Sequence, residues 1–230
     1  MDKELTDKRD LEKQVAAREA VKYIRDNDIV GLGTGSTAYF AIVEVARMVK
    51  EGLKIKGIPT SEHTASLAHS LGIELLEMNE VESIDVTIDG ADEFDARLDL
   101  IKGGGGALFR EKIVASMTRR EIIIADSAKK VDKLGKFKVP VEVVPLALKY
   151  VQQELVKLNG TGIVRLKDGV PFISDNHNYI IDTDFGLIDD AGTLSAQLNQ
   201  VEGILGHGLF VNLTSEIIMG RDHEVIIFTK

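Results

Sequence analysis

Ile29-Val30-Gly31-Leu32-Gly33-Thr34-Gly35-Ser36-Thr37 starts as an apolar run and ends in glycines and hydroxyls. A short apolar run closed by turn residues reads as a buried strand. Behind it, Tyr39, Ile42, Val43, Ala46 and Val49 recur as one helical stripe. A strand that passes through glycines straight into a helix is the repeating unit of a parallel sheet with crossover helices.

Working outward, Leu11 to Ile24 predicts a helix before this strand, with Ala17, Val21 and Ile24 on one face. Beyond it, Ile55 to Ile58 predicts a strand, and Glu62 to Leu71 a helix behind the N-cap candidates Thr60 and Ser61. Ile73 to Leu76 and Ile84 to Ile88 read as further strands, Ala107 to Thr118 as a helix and Glu121 to Ala125 as a strand. This alternation predicts an α/β fold with a doubly wound, mostly parallel, Rossmann-like sheet.

From about Lys136 the texture changes to prolines, short β-rich runs such as Tyr179 to Asp182, and an amphipathic stretch from Leu146 to Leu158. A smaller α+β subdomain over 136–206 is therefore expected, inserted into a larger α/β domain made of 1–135 and 207–230. The runs Leu209 to Leu213 and Val225 to Phe228 are expected to rejoin the first sheet.

Among the 230 residues 44% are hydrophobic and 28% charged, usage that closes a substantial core. A formal net charge of -9 repels nucleic acid and anionic membrane surfaces, so neither is an expected partner. The absence of cysteine excludes disulfides, thiolate nucleophiles and thiol-bound zinc. Met1-Asp2-Lys3-Glu4 lacks the apolar core of a secretory signal, and no run is long enough to span a bilayer. A soluble, cytoplasmic protein is the simplest expectation.

Ligands of doubly wound sheets bind beyond the carboxyl ends of the strands. The loop Gly31 to Thr37 ends there with successive N–H groups and two hydroxyls, Ser36 and Thr37, at a helix start. Ser36 stands where a dinucleotide fingerprint needs its third glycine, and no P-loop lysine follows, so a single phosphate suits the loop better. A glycine turn that merely packs helix on sheet is the bland alternative. Asp89-Gly90-Ala91-Asp92-Glu93-Phe94-Asp95 brings carboxylates to the same edge. Close carboxylates split their proton affinities, whereas Ala91 and Phe94 break a calcium-loop pattern, and a solvated acidic turn is the competing reading.

Lys102-Gly103-Gly104-Gly105-Gly106 fits neither helix nor strand, so its use lies in backbone shape: an anion cradle or an oxyanion donor. In the helix that follows, Glu111 shares a face with Ala107, Leu108, Val114 and Ala115. A desolvated carboxylate gains proton affinity, as a general base for a carbon-bound proton requires, although a first-turn glutamate also suits the helix dipole. Lys129 either reaches a phosphate or decorates a helix start. The five histidines show no ligand spacing and read as ordinary polar residues, so neither a metal nor a cofactor is expected.

In this order the motifs closely resemble the A-type family of ribose-5-phosphate isomerases. The matching stretches are Gly31 to Thr37, Asp89 to Glu93, Lys102 to Leu108, Arg110 to Ile113, and Lys133 to Phe137 ahead of Pro140 to Val143. Phe109 departs from the family pattern and leaves its neighbours' roles untouched. The resemblance implies interconversion of ribose 5-phosphate and ribulose 5-phosphate through a cis-enediol, without metal, in the non-oxidative pentose phosphate pathway. It implies Glu111 as the proton carrier between C1 and C2, Asp89 in ring opening with Asp92 near it, and Lys102 as the stabiliser of the enediolate. Substrate contacts are implied at Thr34, Gly35, Ser36 and Thr37, at Asp89, Gly90, Ala91 and Asp92, at Lys102, Gly103, Gly104 and Gly105, and at Lys129, with Lys13 a weaker match. A homodimer or a pair of dimers is also implied, with Pro140 to Leu205 as contact surface.

Two other classes compete. A sugar-phosphate sensor domain would need a DNA-binding module, whereas about 28 residues precede the first strand and the chain is acidic. It also leaves Glu111 and Lys102 idle. A dinucleotide-dependent oxidoreductase is weakened by the missing third glycine.

Overall fold

The computed structural model describes residues 3–230, with side chains from Lys8 onward. Of the charged N-terminal stretch, Met1 and Asp2 lie outside the described residues.

The chain opens with α1 (Lys3–Ala20), β1 (Ile29–Leu32) and α2 (Ser36–Lys50), then β2 (Lys56–Pro59) and α3 (Glu62–Ser70). Next come β3 (Ile84–Gly90), the short β4 (Glu93–Phe94) and β5 (Leu100–Ile101), α4 (Leu108–Met117) and β6 (Thr118–Asp126). Residues 139–207 supply β7 (Val139–Val143), α5 (Leu148–Lys157), β8 (Thr161–Val164), β9 (Leu166–Lys167), β10 (Val170–Pro171), β11 (Tyr179–Asp184), α6 (Ala191–Leu198) and β12 (Ile204–His207). The chain closes with β13 (Leu209–Phe210), β14 (Glu216–Arg221) and β15 (Glu224–Thr229).

The main sheet has the order β15-β14-β6-β3-β1-β2. Every pairing in it is parallel except the β14–β15 edge. Strand side chains alternate between faces. Ile122 and Ile124 of β6 accordingly pack with Ala16 of α1 and with Ala41 and Val45 of α2, whereas Ile123 and Ala125 pack with Ala115 of α4. Helices cover both faces, which is the doubly wound arrangement. Burying one such isoleucine contributes at most about 1.5–3 kcal/mol.

α3 starts as its sequence dictates: Ser61 Oγ accepts from the Thr64 N–H, the N-cap bond. The buried side of α2 is Ala38, Ala41, Ile42, Val45 and Ala46, while Tyr39 and Val43 are exposed. The expected stripe is thus rotated, because small alanines let the helix approach the sheet although they add little to an apolar pattern. Ile73 to Leu76 does not become a strand. It makes a single bridge, Gly57 to Leu75, before the chain turns at Met78–Glu80.

Leu209 to Leu213 does not rejoin the main sheet either. Only Leu209 and Phe210 are strand, and they pair with β5 in a separate three-stranded sheet, β13-β5-β4. The strand that returns beside β6 is β14, which no sequence reading anticipated; Val225 to Phe228 lies in the antiparallel edge strand β15.

Within 139–207 four strands form an antiparallel sheet, β12-β7-β11-β8, and β9 and β10 pair separately. Val141, Val143 and Ile181 pack against Val151 and Leu155 of α5 and Leu194 and Leu198 of α6, in an apolar cluster that extends to Ile101, Leu134 and Leu209. This unit props the glycine loop. Arg165, paired with Asp182, donates to the carbonyls of Gly103 at 2.9 Å and Gly104 at 3.2 Å. Phe172 covers Gly106, where φ is +86° and a Cβ would fall 2.5 Å from the ring, so only glycine fits.

Candidate active site

The ends of β1, β3 and β6, the glycine loop and α4 converge on one cavity of about 240 Å³. Its wall is made by Thr34 to Thr37, Gly90 to Asp92, Lys102 to Gly105, Glu111 and Lys129. Of the residues expected to touch substrate, two do not line the cavity: Lys13, the weaker match, and Asp89, which is 1% exposed.

Asp89 is held from three sides. Its Oδ1 accepts the N–H of Thr34 at 3.0 Å and of Gly90 at 2.7 Å, and its Oδ2 accepts from Lys102 Nζ at 2.9 Å. The approach of β1 to β3 that permits this requires Gly33: a Cβ there would stand 2.1 Å from Asp89 Oδ1. Hydroxyls lock the same loop from behind, since Thr34 Oγ1 lies 2.7 Å from Thr60 Oγ1 and donates to Ser61 Oγ at 2.8 Å. Asp92 accepts the Gly104 N–H at 2.7 Å, fastening the glycine loop to the β3 end.

Lys102 also donates to the Gly90 carbonyl and faces Glu111 Oε1 at 3.6 Å. Burial would favour its neutral form, but Asp89 and Glu111 outweigh that, and it is held above the usual lysine range. Glu111 is 4% exposed on the face of α4 it shares with Leu108, Val114 and Ala115, and its Oε2 has no partner among the described residues. Desolvation, countered in part by Lys102, pushes its pKa up to about 8. A carboxylate of that affinity both takes and returns a proton near neutral pH.

The same cavity also offers groups that can hold an anion. α2 begins at Ser36 with no side-chain cap, which leaves its first N–H groups open to an anion, and Ser36 and Thr37 line the cavity. Lys129, in the turn Ser127–Lys129 after β6, stands there, and Lys13 Nζ lies 3.2 Å from Ser36 Oγ. Among the described residues no three His, Asp or Glu side chains are grouped as metal ligands.

Two residues escaped the sequence reading. His207, taken there for an ordinary polar residue, is 0% exposed. Lys112, next to Glu111, donates to the carbonyls of His207 at 2.6 Å and Leu209 at 2.8 Å. Burial lowers the Lys112 pKa to about 7, and burial followed by the Lys112 charge lowers that of His207 to about 3. The lone sequence signal for Lys112 was its place in Arg110-Glu111-Lys112.

Residues 56–224 match the family model for ribose 5-phosphate isomerase A (phosphoriboisomerase A). The ribose-5-phosphate isomerase A of Desulfatibacillum aliphaticivorans is 51% identical over 91% of this chain and 93% of its own length. That of Sphingopyxis alaskensis is 45% identical over 93% and 94%. Among solved structures, ribose 5-phosphate isomerase A from Methanocaldococcus jannaschii superposes with a TM-score of 0.91 at 40% identity, covering 96% of this chain and 99% of that one. A D-ribose-5-phosphate isomerase in complex with phospho-erythronic acid superposes with a TM-score of 0.92 at 38% identity, over 95% and 97%. With such agreement along nearly its whole length, the chain belongs to the ribose-5-phosphate isomerase A family.

Proposed function

We propose that the protein interconverts ribose 5-phosphate and ribulose 5-phosphate, with Glu111 as proton carrier, Lys102 as oxyanion donor and no metal. The observation that carries the reading is the pairing of Glu111 with Lys102 in the same cavity whose wall includes Ser36, Thr37 and Lys129. The phosphate binds at the α2 N-terminus beside Lys129, with Lys13 behind Ser36. The open-chain sugar then reaches toward Glu111, and Gly90, Ala91 and the Gly103 to Gly105 loop form the walls.

Glu111 removes the hydrogen on C2 as a proton. The C–H electron pair becomes the C1–C2 double bond, and the carbonyl pair moves onto O1, where Lys102 and glycine-loop N–H groups meet the developing charge. O1 takes up a proton and O2 gives one up, an exchange assigned to Asp89 with Asp92 near it. Glu111 then returns its proton to C1 while the C2 carbonyl forms. A sensor has no use for a desolvated base, so the enzyme reading is favoured.

The chain divides, in this reading, into a catalytic domain of 1–135 plus 207–230 and a smaller one of 136–206; the smaller one's apolar cluster also takes in Ile101, Leu134 and Leu209 of the larger. It acts as a cytoplasmic homodimer or homotetramer. Val144, Leu146, Tyr150, Val156, Ile163 and Leu166 are exposed on the smaller unit and supply the contact. Incubating chelator-treated protein with ribose 5-phosphate and following ketose formation tests the activity and its metal independence together. Absence of turnover that metal does not restore would reject the assignment, and sedimentation as a monomer would reject the assembly.

A further inference from the structure

Glu121 is a buried acid that the isomerisation leaves without a task. On β6 it stands opposite Thr87 of β3, whereas Ile123, two residues on, stands opposite Asp89. Residues two apart on a strand share a face, and one such repeat is about 6.6 Å long. Glu121 therefore lies one repeat behind Asp89, on the side of the sheet where α4 carries Glu111. It is 2% exposed, it does not line the cavity, and its Oε2 has no partner among the described residues.

Lys102 is the cation that acts on it, and that ammonium is already engaged by other groups. An ammonium has three donors. Those of Lys102 serve Asp89 and the Gly90 carbonyl, and the remaining one faces Glu111. On β6 itself, Arg119 pairs with Asp85 and Arg120 with Glu216 of β14. α1 and α2 cover the opposite face of β6. Asp89 from β3 and Glu111 from α4 repel a further negative charge, and burial opposes it first of all, so the Glu121 carboxyl is held well above the usual carboxylate range.

We propose that Glu121 is a positioning residue for the isomerisation: a neutral acid behind the catalytic ammonium, whose loss of a proton in alkaline solution draws Lys102 away from the enediolate and slows turnover. In its neutral form it leaves the Lys102 charge to Asp89 and to the oxyanion at O1. Ionised, it adds a negative charge beside a step that creates another. The inference rests on the isomerase reading and adds to it a group that sets the alkaline edge of activity.

The test is kcat for ribose 5-phosphate against pH, in the wild-type chain and in Glu121→Gln, which keeps the shape but never ionises. Wild-type turnover should fall on the alkaline side, and the variant should hold its plateau about one pH unit or more further. Superimposable alkaline limbs would overturn the proposal. Lack of isomerisation by the wild-type chain at every pH would instead reject the activity itself. The carboxyl carbon of Glu121, followed by NMR in the wild-type chain, gives a reading that does not depend on the variant folding. It should report a protonated group at neutral pH that ionises as kcat falls, and a carboxylate at neutral pH would sink the idea.

Discussion

Lys102 Nζ stands 2.9 Å from Asp89 Oδ2 and 3.6 Å from Glu111 Oε1, so one ammonium is shared unequally between two buried carboxylates. Asp89 accepts two further N–H groups, from Thr34 and Gly90. Glu111 receives too little compensation for its burial and keeps a strong affinity for protons. In the proposed mechanism this difference divides the labour: Asp89 fixes Lys102 in place and Glu111 remains reactive.

Glu111→Gln tests that division directly. The amide keeps the shape and loses the base, so kcat should fall by about 10²–10⁴-fold while KM changes little. In the wild-type chain the reactive form is the ionised one, so kcat/KM should rise with pH toward about 8. Steady-state kinetics across pH check both, and a variant with near-normal kcat would remove Glu111 from the chemistry.

The same shift has a stability consequence with a definite sign. The folded chain keeps the Glu111 proton up to about pH 8, whereas the unfolded chain releases it near the model value of 4.5. Between those limits the folded state binds more protons, so the stability this group contributes is complete below about 4.5 and is lost as pH rises toward 8. Glu111→Gln is therefore expected to be more stable than the wild type at pH 8, by on the order of a few kcal/mol, with the gap closing in acid. Denaturant titrations at several pH values measure it, and a gap that widens in acid would contradict the assignment.

Much of the candidate site was legible because its signals are local. The end of β3 carries Asp89, and the α4 stripe of Leu108, Val114 and Ala115 carries Glu111, each within a dozen residues of sequence. What stayed hidden depends on distant partners. Lys112 is explained by His207 and Leu209, 95 and 97 residues away, and the burial of Glu121 depends on strands that assemble around it. Two-residue strands such as Leu209–Phe210 have no periodicity to read. Ala38 and Ala41 of α2 contribute closeness of approach, which an apolar stripe does not register.

Gly33→Ala should disable the enzyme without touching a side chain that reacts. The new Cβ would meet Asp89 at 2.1 Å from Oδ1 and 2.6 Å from Cα, and the backbone atom cannot swing aside as a side chain does. Displacing Asp89 displaces Lys102, and a misplacement of about 1 Å at a reacting centre costs on the order of 10²-fold. A fully active, folded Gly33→Ala chain would show that the Asp89 contacts do not control Lys102.

Replacing Ser36 and Thr37 by alanine separates binding from chemistry. Each hydroxyl bonded to a phosphate oxygen contributes about 1.5–3 kcal/mol, so KM for ribose 5-phosphate should rise at least about tenfold. Inhibition by inorganic phosphate should weaken in parallel, because it draws on the same donors. Unchanged saturation and unchanged phosphate inhibition together would move the anion site away from the α2 N-terminus.

Lys112→Met probes how the returning chain holds the site together. Lys112 reaches from α4 to the carbonyls of His207 and Leu209, and between those residues Gly208 accepts the Lys102 N–H at 2.8 Å. Both ammonium groups face the Phe210 ring, Lys102 at 5.5 Å and Lys112 at 4.9 Å from its centroid. Methionine fills the volume but leaves two buried carbonyls without that donor, a loss of about 1–3 kcal/mol for each. The segment from His207 to Phe210 then loosens, and Lys102 drifts relative to Glu111. The expected result is a lower unfolding midpoint and, in chain that remains folded, a reduced kcat with little change in KM, because Ser36, Thr37 and Lys129 are untouched. A variant that loses stability yet keeps full kcat would make Lys112 a fastener of the fold alone.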